Sequence, residues 1–347
     1  YTTYEAKVYA PDVAREGYDF LGWYEDEAYT KRVDFGSENA PTAPAETVSY
    51  YAKWQGVENT ITFATNGGSA VESRTGRTSE TIAEPDAPSR TGYAFAGWYS
   101  DQNCTRKWDF GSDTVPGAMT LYAKWTANTY TVTLNANGGA VEPANKSVSY
   151  DGTYGELPMP TRKGYDFLGW FTAQTEGTQV REDERVTITA DQTLYAHWTE
   201  GAADYTVKHL WQNIGDDGYS EHEEESLSGI TNASTAAAAK QYDGFTAQAV
   251  TQQTVAADGS TVVEIRYDRN THTVTWMNGE AELKKETVRY GAKPAYTGTT
   301  PERTETGHTF TLTGWSTEAD GTGTALTDKT TVTGDVIYYA QFSDTLN

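Results

Sequence analysis

The sequence has little cysteine, little basic charge and no long apolar run. Its 347 residues include one cysteine, so no disulfide can form within the chain. Lys and Arg number 26 against 49 Asp and Glu, which gives a formal net charge of -23. This charge repels the phosphate backbone, so we expect no nucleic-acid partner. No apolar stretch reaches the roughly 20 residues that span a bilayer, so we expect no membrane insertion.

The sequence also lacks the residue patterns that carry catalysis or hold a metal. Its five His residues have neither HExxH spacing nor a cysteine partner, which disfavours a zinc site. The adjacent acids at 182–184 diverge and do not form the carboxylate pair of a glycosidase. Cys104 has no His near it in sequence and is expected to be a half-buried filler rather than a reactive thiol. We therefore expect no enzymatic activity, metal or cofactor. The His residues are His197, His209, His222, His272 and His308.

What the chain does contain is an aromatic segment that recurs between glycines. It reads Gly-Tyr-Asp-Phe-Leu-Gly-Trp at 17–23 and 164–170 and is closely similar at 92–98, with a looser copy at 307–315. A second marker, Tyr-Ala-Lys-Trp or a variant of it, closes each copy. Successive copies of both markers lie 71 to 75 residues apart, except for one interval twice as long. Two markers with one period indicate five small domains in tandem.

We name these predicted domains repeats 1 to 5. Repeat 1 lacks the opening hairpin of the others, which suggests a polypeptide cut from a longer one. Repeats 2 and 3 follow the full plan, repeat 4 diverges, and repeat 5 is a divergent copy. The predicted bounds are 1–54, 60–125, 129–198, 204–268 and 271–342.

The local patterns favour strands. Apolar residues alternate at 60–65 and 131–136, and each stretch is followed by an Asn-Gly-Gly turn signal. The Ala-rich stretch 233–240 is the best helix candidate. We expect a mainly β fold of small α+β units in a linear array of repeats, each about 70 residues long. The connections are short, so neighbouring repeats should nearly touch and form an elongated, semi-rigid rod.

The aromatic residues have two predicted roles. A small domain buries little area, so the repeated tryptophans should fill the cores. These are Trp23, Trp54, Trp98, Trp125, Trp170, Trp198 and Trp315. Aromatic residues that do not repeat are better candidates for stacking on a ligand such as a sugar. These are Trp211, Tyr219, Tyr242 and Trp276. The acidic stretch 216–225 is a weaker candidate for calcium binding, because it lacks the EF-hand pattern.

Several motifs match known repeat families. Repeats 1, 2, 3 and 5 resemble the Listeria–Bacteroides repeat, also called the internalin-type B-repeat. The motifs that carry this resemblance are Asn137-Gly138-Gly139, Pro160 to Tyr165, Gly169-Trp170-Phe171 and Leu194 to Trp198. Repeat 4 resembles a mucin-binding-protein (MucBP) repeat. The motifs here are Tyr205-Thr206-Val207, Tyr242 to Phe245, Asp258 to Val262 and Tyr267-Asp268.

The resemblance implies β-grasp-like units in surface proteins of Gram-positive and gut bacteria, placed between a functional head and a cell-wall anchor. We therefore predict an extracellular, monomeric, non-enzymatic stalk that contributes weak adhesion. Two alternatives stay open. Repeat 4 binds host mucin glycans or a host surface protein, or the array consists of accessory repeats of an extracellular hydrolase.

Overall fold

The computed structural model describes residues 6–35, 38 and 40–346, so the predicted start of repeat 1 at Tyr1 lies outside the described residues. Within these ranges the chain forms 21 strands and no helix, which confirms the expected mainly β fold. By the density of its internal contacts the chain divides into two compact units. The first unit comprises 1–135, 142–158 and 170–195, and the second comprises 136–141, 159–169 and 196–347.

The first unit contains two complete sheets. The strands of repeat 1 are β1 (Tyr18–Tyr24), β2 (Arg32–Val33) and β3 (Tyr51–Gly56), in the order β2-β1-β3. The strands of repeat 2 are β4 (Glu58–Ala64), β5 (Arg74–Arg77), β6 (Tyr93–Tyr99) and β7 (Met119–Ala127), in the order β5-β4-β7-β6. In repeat 2 the first and last strands are parallel neighbours at the centre, and each outer strand pairs with them in antiparallel fashion.

The third sheet is that of repeat 3. Its strands are β8 (Thr129–Asn135), β9 (Asn145–Ser149), β10 (Tyr165–Phe171), β11 (Gln179–Val180) and β12 (Gln192–Glu200). Their order is β11-β10-β12-β8-β9, and β8 and β12 are parallel.

The second unit contains two further sheets. The strands of repeat 4 are β13 (Ala202–Gln212), β14 (Tyr219–Ile230), β15 (Phe245–Ala247) and β16 (Val262–Arg269), in the order β14-β13-β16-β15. The strands of repeat 5 are β17 (Thr271–Asn278), β18 (Ala281–Arg289), β19 (Thr304–Glu305), β20 (His308–Ser316) and β21 (Val336–Leu346), in the order β18-β17-β21-β20-β19. Repeat 4 therefore has the same strand order as repeat 2, although its sequence markers differ.

The predicted core tryptophans differ in burial. Trp98 and Trp170 are 1% and 3% exposed, whereas the other five are half-buried. Two of those five tie a turn to their own sheet. The indole Nε1 of Trp125 donates to the Thr65 carbonyl at 2.9 Å, and that of Trp198 donates to the Ala136 carbonyl at 3.0 Å. These half-buried rings cover one end of the core and fix the turn beside it.

Those turns are the predicted Asn-Gly-Gly turns. Asn66 and Gly67 have φ of 50° and 89°, and the Gly68 N–H closes the turn on the Thr65 carbonyl at 3.0 Å. The Asn66 side-chain amide also donates to the Ala123 carbonyl at 2.8 Å. Asn and Gly accept positive φ more readily than other residues, which explains why both stand here.

The helix prediction for 233–240 is wrong. This stretch is extended, and three of its backbone N–H groups bond to side chains. The N–H of Ala236 donates to the Tyr205 hydroxyl, that of Ala237 to Gln252 Oε1, and that of Lys240 to the Tyr267 hydroxyl. An isolated helix this short is marginal in water, so these tertiary acceptors override the alanine propensity.

Leu121→Ala tests the core of repeat 2, because Leu121 is fully buried in its last strand. Loss of this side chain should cost about 2–5 kcal/mol of local stability. Hydrogen exchange measured by mass spectrometry should then be faster throughout 58–127. The control is Leu168→Ala: Leu168 is 54% exposed, and a change there should stay within about 0.5 kcal/mol. Unchanged exchange in Leu121→Ala would contradict the core assignment.

Candidate functional site

The functional geometry that recurs in this chain lies between repeats. A single residue separates the last strand of each repeat from the first strand of the next. We call the single residues between them the junction residues: Val57, Asn128, Gly201 and Asn270. Each lies within one compact unit, together with the groups that it contacts. With one residue between two strands, the last strand of one repeat runs directly into the first strand of the next.

Two backbone hydrogen bonds fix every junction residue. At Asn128, the N–H donates to the Gly92 carbonyl at 2.9 Å, and the C=O accepts from the Tyr150 N–H at 2.9 Å. The same pair of bonds occurs at the other three junctions, with distances of 2.7 to 3.1 Å. The first partner belongs to the preceding repeat and the second to the following one. One residue is therefore bonded to both of its neighbours.

The first partner is always a glycine that precedes an aromatic residue; in repeats 1 to 3 it opens the aromatic segment, and in repeat 4 it is Gly244, before Phe245. We call these residues the clasp glycines: Gly17, Gly92, Gly164 and Gly244, with φ between 74° and 81°. The second partner lies directly against the clasp glycine, and we call these residues the covering residues: Thr78, Tyr150, Thr231 and Tyr290. A Cβ on Gly92 or Gly244 would lie 2.3 Å from the ring of the covering tyrosine. Both the positive φ and this close approach require glycine.

The junctions fall into two kinds. Where the covering residue is tyrosine, the junction residue is asparagine, as at Asn128 and Asn270. Where it is threonine, the junction residue is Val57 or Gly201. The threonine kind adds a short polar contact at Gly201, since the Thr231 hydroxyl donates to the Gly164 carbonyl at 2.7 Å. The tyrosine kind instead covers the glycine with a ring.

The aromatic residue after the clasp glycine adds a further contact across the junction. The Tyr93 hydroxyl donates to the Asp151 carboxylate at 2.5 Å, and Asp151 also pairs with Arg185 at 2.5 Å. The Tyr93 hydroxyl, followed by Arg185, lowers the pKa of Asp151 from its usual 3.8. The same bond raises the pKa of Tyr93. Arg90 covers the Tyr93 ring, with its guanidinium carbon 3.9 Å from the ring centroid.

The junction between repeats 4 and 5 bears on the calcium hypothesis. Arg289 Nη1 donates to the carbonyls of Asn213, Ile214 and Asp216, at 3.1, 3.3 and 2.5 Å. A guanidinium therefore lies at the start of the acidic stretch. The acids at 221 and 223–225 lie in strand β14 rather than in a loop. This geometry gives calcium binding at 216–225 little support, and it stays a prediction.

Trp276, which was predicted to stack on a ligand, is a core residue instead. Trp276 is 0% exposed and lies in the core of repeat 5, so it cannot stack on a ligand. Its indole Nε1 donates to Glu286 at 2.9 Å. Trp276 lies six residues after its junction residue, as do Phe63, Leu134 and Val207, which are all buried. Counting from the junction would have identified it as a core position.

The structure brings two other predicted ligand residues together. Trp211 and Tyr242 in repeat 4 have ring centroids 5.3 Å apart. Trp211 is covered on both faces, by His222 at 3.3 Å and by Phe245 at 4.3 Å. A sugar has no free face of this indole on which to stack. The fourth candidate, Tyr219, bonds instead to Asp268 and accepts a hydrogen bond from Gln248 at 2.8 Å.

Beside these rings lies a polar network around a buried histidine, which the sequence did not indicate. His209 is 0% exposed, with Nδ1 2.7 Å from the Tyr267 hydroxyl and Nε2 3.1 Å from Glu225. Lys240 pairs with Glu223 at 2.6 Å and with Glu225 at 3.0 Å. Burial and the hydrogen bond to Glu223 raise the pKa of Tyr242. Each of these network side chains has a hydrogen-bond or ion-pair partner, so the network stabilises repeat 4. The neighbouring Trp211 Nε1 is buried and has no hydrogen-bond partner among the described residues.

Other site types are not found in the described ranges 6–35, 38 and 40–346. There, no three His, Cys, Asp or Glu residues are grouped so as to hold a metal ion. No helix in the same residues has the length and apolar character needed to cross a bilayer. Cys104 is half-buried, with its Sγ 3.9 Å from the carbonyls of Gln102 and Ala123.

Comparison with known families agrees with the repeat pattern. The sequence model of the Listeria-Bacteroides repeat domain matches four regions of the chain. These regions are 1–53, 60–124, 130–197 and 272–341. The match leaves out repeat 4, whose resemblance to a MucBP repeat stays a prediction. Repeat 4 nevertheless has the same strand order as repeat 2 and the same junction bonds as the matched repeats.

Individual relatives are longer proteins. A putative Gly-rich membrane protein of Evansella cellulosilytica is 39% identical over 53% of this chain and 21% of its own length. A putative membrane protein of the same organism is 38% identical over 53% of this chain and 27% of its own length. Internalin H of Listeria monocytogenes is 38% identical over 35% of this chain and 22% of its own length. The matched part thus spans about a quarter or less of each relative.

Gly92→Ala tests the junction between repeats 2 and 3. A positive φ costs alanine about 1–2 kcal/mol, and the added Cβ must also displace Tyr150. We expect the two repeats to lose their fixed orientation, so that their residual dipolar couplings no longer fit one alignment tensor. The control is Gly117→Ala, where a Cβ meets nothing within 4 Å. A single shared tensor in Gly92→Ala would contradict the role given to the clasp glycine.

Proposed function

Because the chain belongs to the Listeria–Bacteroides repeat family, we propose that it is the spacer region of a bacterial cell-surface protein. In this role it holds a functional head away from the cell and has no catalytic part of its own. The repeats are extracellular, act as a monomer and do not enter the membrane. The parallel first and last strands at the centre of each four-stranded core support the β-grasp-like assignment.

One observation carries this proposal: every junction has a single residue, and that residue is bonded to both neighbours. A spacer keeps its length only if adjacent domains cannot fold back on one another. A long Gly/Ser linker would behave as a flexible coil, whereas a junction with two backbone bonds and a covered glycine restricts bending. The same pair of bonds at all four junctions supports a role in which neighbouring domains keep a fixed orientation.

The relatives support a surface location. Two are named as membrane proteins and one as an internalin, and each extends far beyond the region matched here. We infer that the head and the anchor are carried outside a repeat region of this kind.

Host mucin glycans or a host surface protein remain the predicted partners of repeat 4. The side-chain geometry gives less support to glycan stacking. Trp211 is covered on both faces, and Tyr242 is bonded to Glu223 at 2.7 Å. We therefore give the spacer role priority over adhesion.

Small-angle scattering of the chain tests the spacer role. A compact particle of 347 residues would have a radius of gyration of about 20 Å. Domains of this size are each roughly 30 Å across, so a fixed tandem array should give a far larger radius and the profile of an elongated particle. A control variant with a Gly/Ser insertion after Asn128 should broaden the distance distribution. A radius near the compact value would contradict the proposal.

A further inference from the structure

The strand order determines how a repeat carries tension. In repeat 4 the chain enters at Gly201 through β13 and leaves at Asn270 through β16. These two strands are parallel neighbours, paired in register from Thr206 with Val262 to Trp211 with Tyr267. Tension along the array therefore pulls β13 toward its start and β16 toward its end. The two strands are drawn in opposite directions along their shared ladder.

This direction of loading is the resistant one. Force along the strands loads all the hydrogen bonds between them together, so they must break at nearly the same time. Force across the strands opens the ladder from one end and breaks the bonds one after another. Since rupture under force depends on the barrier to unfolding rather than on equilibrium stability, the direction of loading matters more than the total number of bonds.

The same arrangement recurs through the chain. The first and last strands pair in parallel over four residues in repeats 2, 3 and 5, and over six in repeat 4. Asn128, Gly201 and Asn270 connect one such pair directly to the next, with no intervening loop. Load then passes from strand to strand through repeats 2 to 5 without reaching the outer strands.

We propose that these repeats are tension-bearing modules in which the parallel central pair acts as a shear clamp, and that repeat 4 is the strongest of them. This inference rests on the proposed spacer function, and it adds that the spacer withstands pulling between a cell and whatever its head holds. The divergent sequence of repeat 4 then has a mechanical reason. Its first strand runs to Gln212 and so pairs with its last strand over additional residues, at the positions where the matched repeats 2 and 3 turn at Asn-Gly-Gly.

Single-molecule pulling on the full chain tests the proposal. Cys104→Ser removes the native thiol, so that handles attach only at introduced cysteines. Handles at Asp204→Cys and Thr271→Cys load the β13–β16 pair of repeat 4 along its strands. Handles at Asp204→Cys and Val262→Cys both lie at the start of this pair and pull its two strands apart from that end. All three positions are exposed. The first pair should rupture at a force several-fold higher than the second.

A matched comparison uses repeat 2. Thr60→Cys with Thr129→Cys places exposed handles at the corresponding positions, across a ladder of four pairs instead of six. Repeat 4 should rupture at the higher force. Equal forces in the two directions in repeat 4 would overturn the clamp, and a stronger repeat 2 would overturn the rank of repeat 4. A compact particle in scattering would defeat the spacer role while leaving this directional difference measurable, so the two failures are distinguishable.

Discussion

The structure depends on one backbone constraint, the pair of hydrogen bonds that holds each junction residue between two repeats. A residue with its N–H bonded to the preceding repeat and its C=O bonded to the following one cannot rotate freely about φ or ψ. The partner glycine must then lie close enough to be covered by the next repeat, which excludes any side chain there. The glycine that opens the aromatic segments at 17–23, 92–98 and 164–170 is therefore explained by contact between domains. The tryptophan that closes each of these segments serves the core or its edge.

This constraint also explains how repeat 4 can differ so much within an ordered array. Its core contains the buried His209 with Tyr267 and Glu225, where repeat 3 has a tryptophan bonded to a turn carbonyl. Its two ends nevertheless keep the clasp glycine, the junction residue and the covering residue. A domain can change its interior and remain in the array, provided that its ends still make the same bonds. In a repeat array the ends set the interface terms and the interior sets the intrinsic stability.

Much of the fold could be predicted from the sequence, because strand alternation and Asn-Gly turns are local signals. The period also predicted five repeats, and the described residues form five sheets. The junctions could not be predicted, since backbone N–H and C=O groups are common to nearly all residues. Val57, Asn128, Gly201 and Asn270 share no side-chain property. The helix prediction for 233–240 was wrong because amides in this stretch find acceptors on side chains distant in sequence. The ligand role predicted for Trp276 was wrong because the equivalent core positions in the other repeats are aliphatic or phenylalanine, so Trp276 did not stand out as a repeated core residue.

The most direct test of this account is amide hydrogen exchange at the four junction residues, resolved by NMR. Exchange reports local opening, and the amide of a connecting loop is normally among the least protected in a domain. The account predicts that the amides of Val57, Asn128, Gly201 and Asn270 exchange as slowly as those of the strands on either side. Exchange at the rate of an open loop at these positions would contradict the claim that the junctions hold the array together.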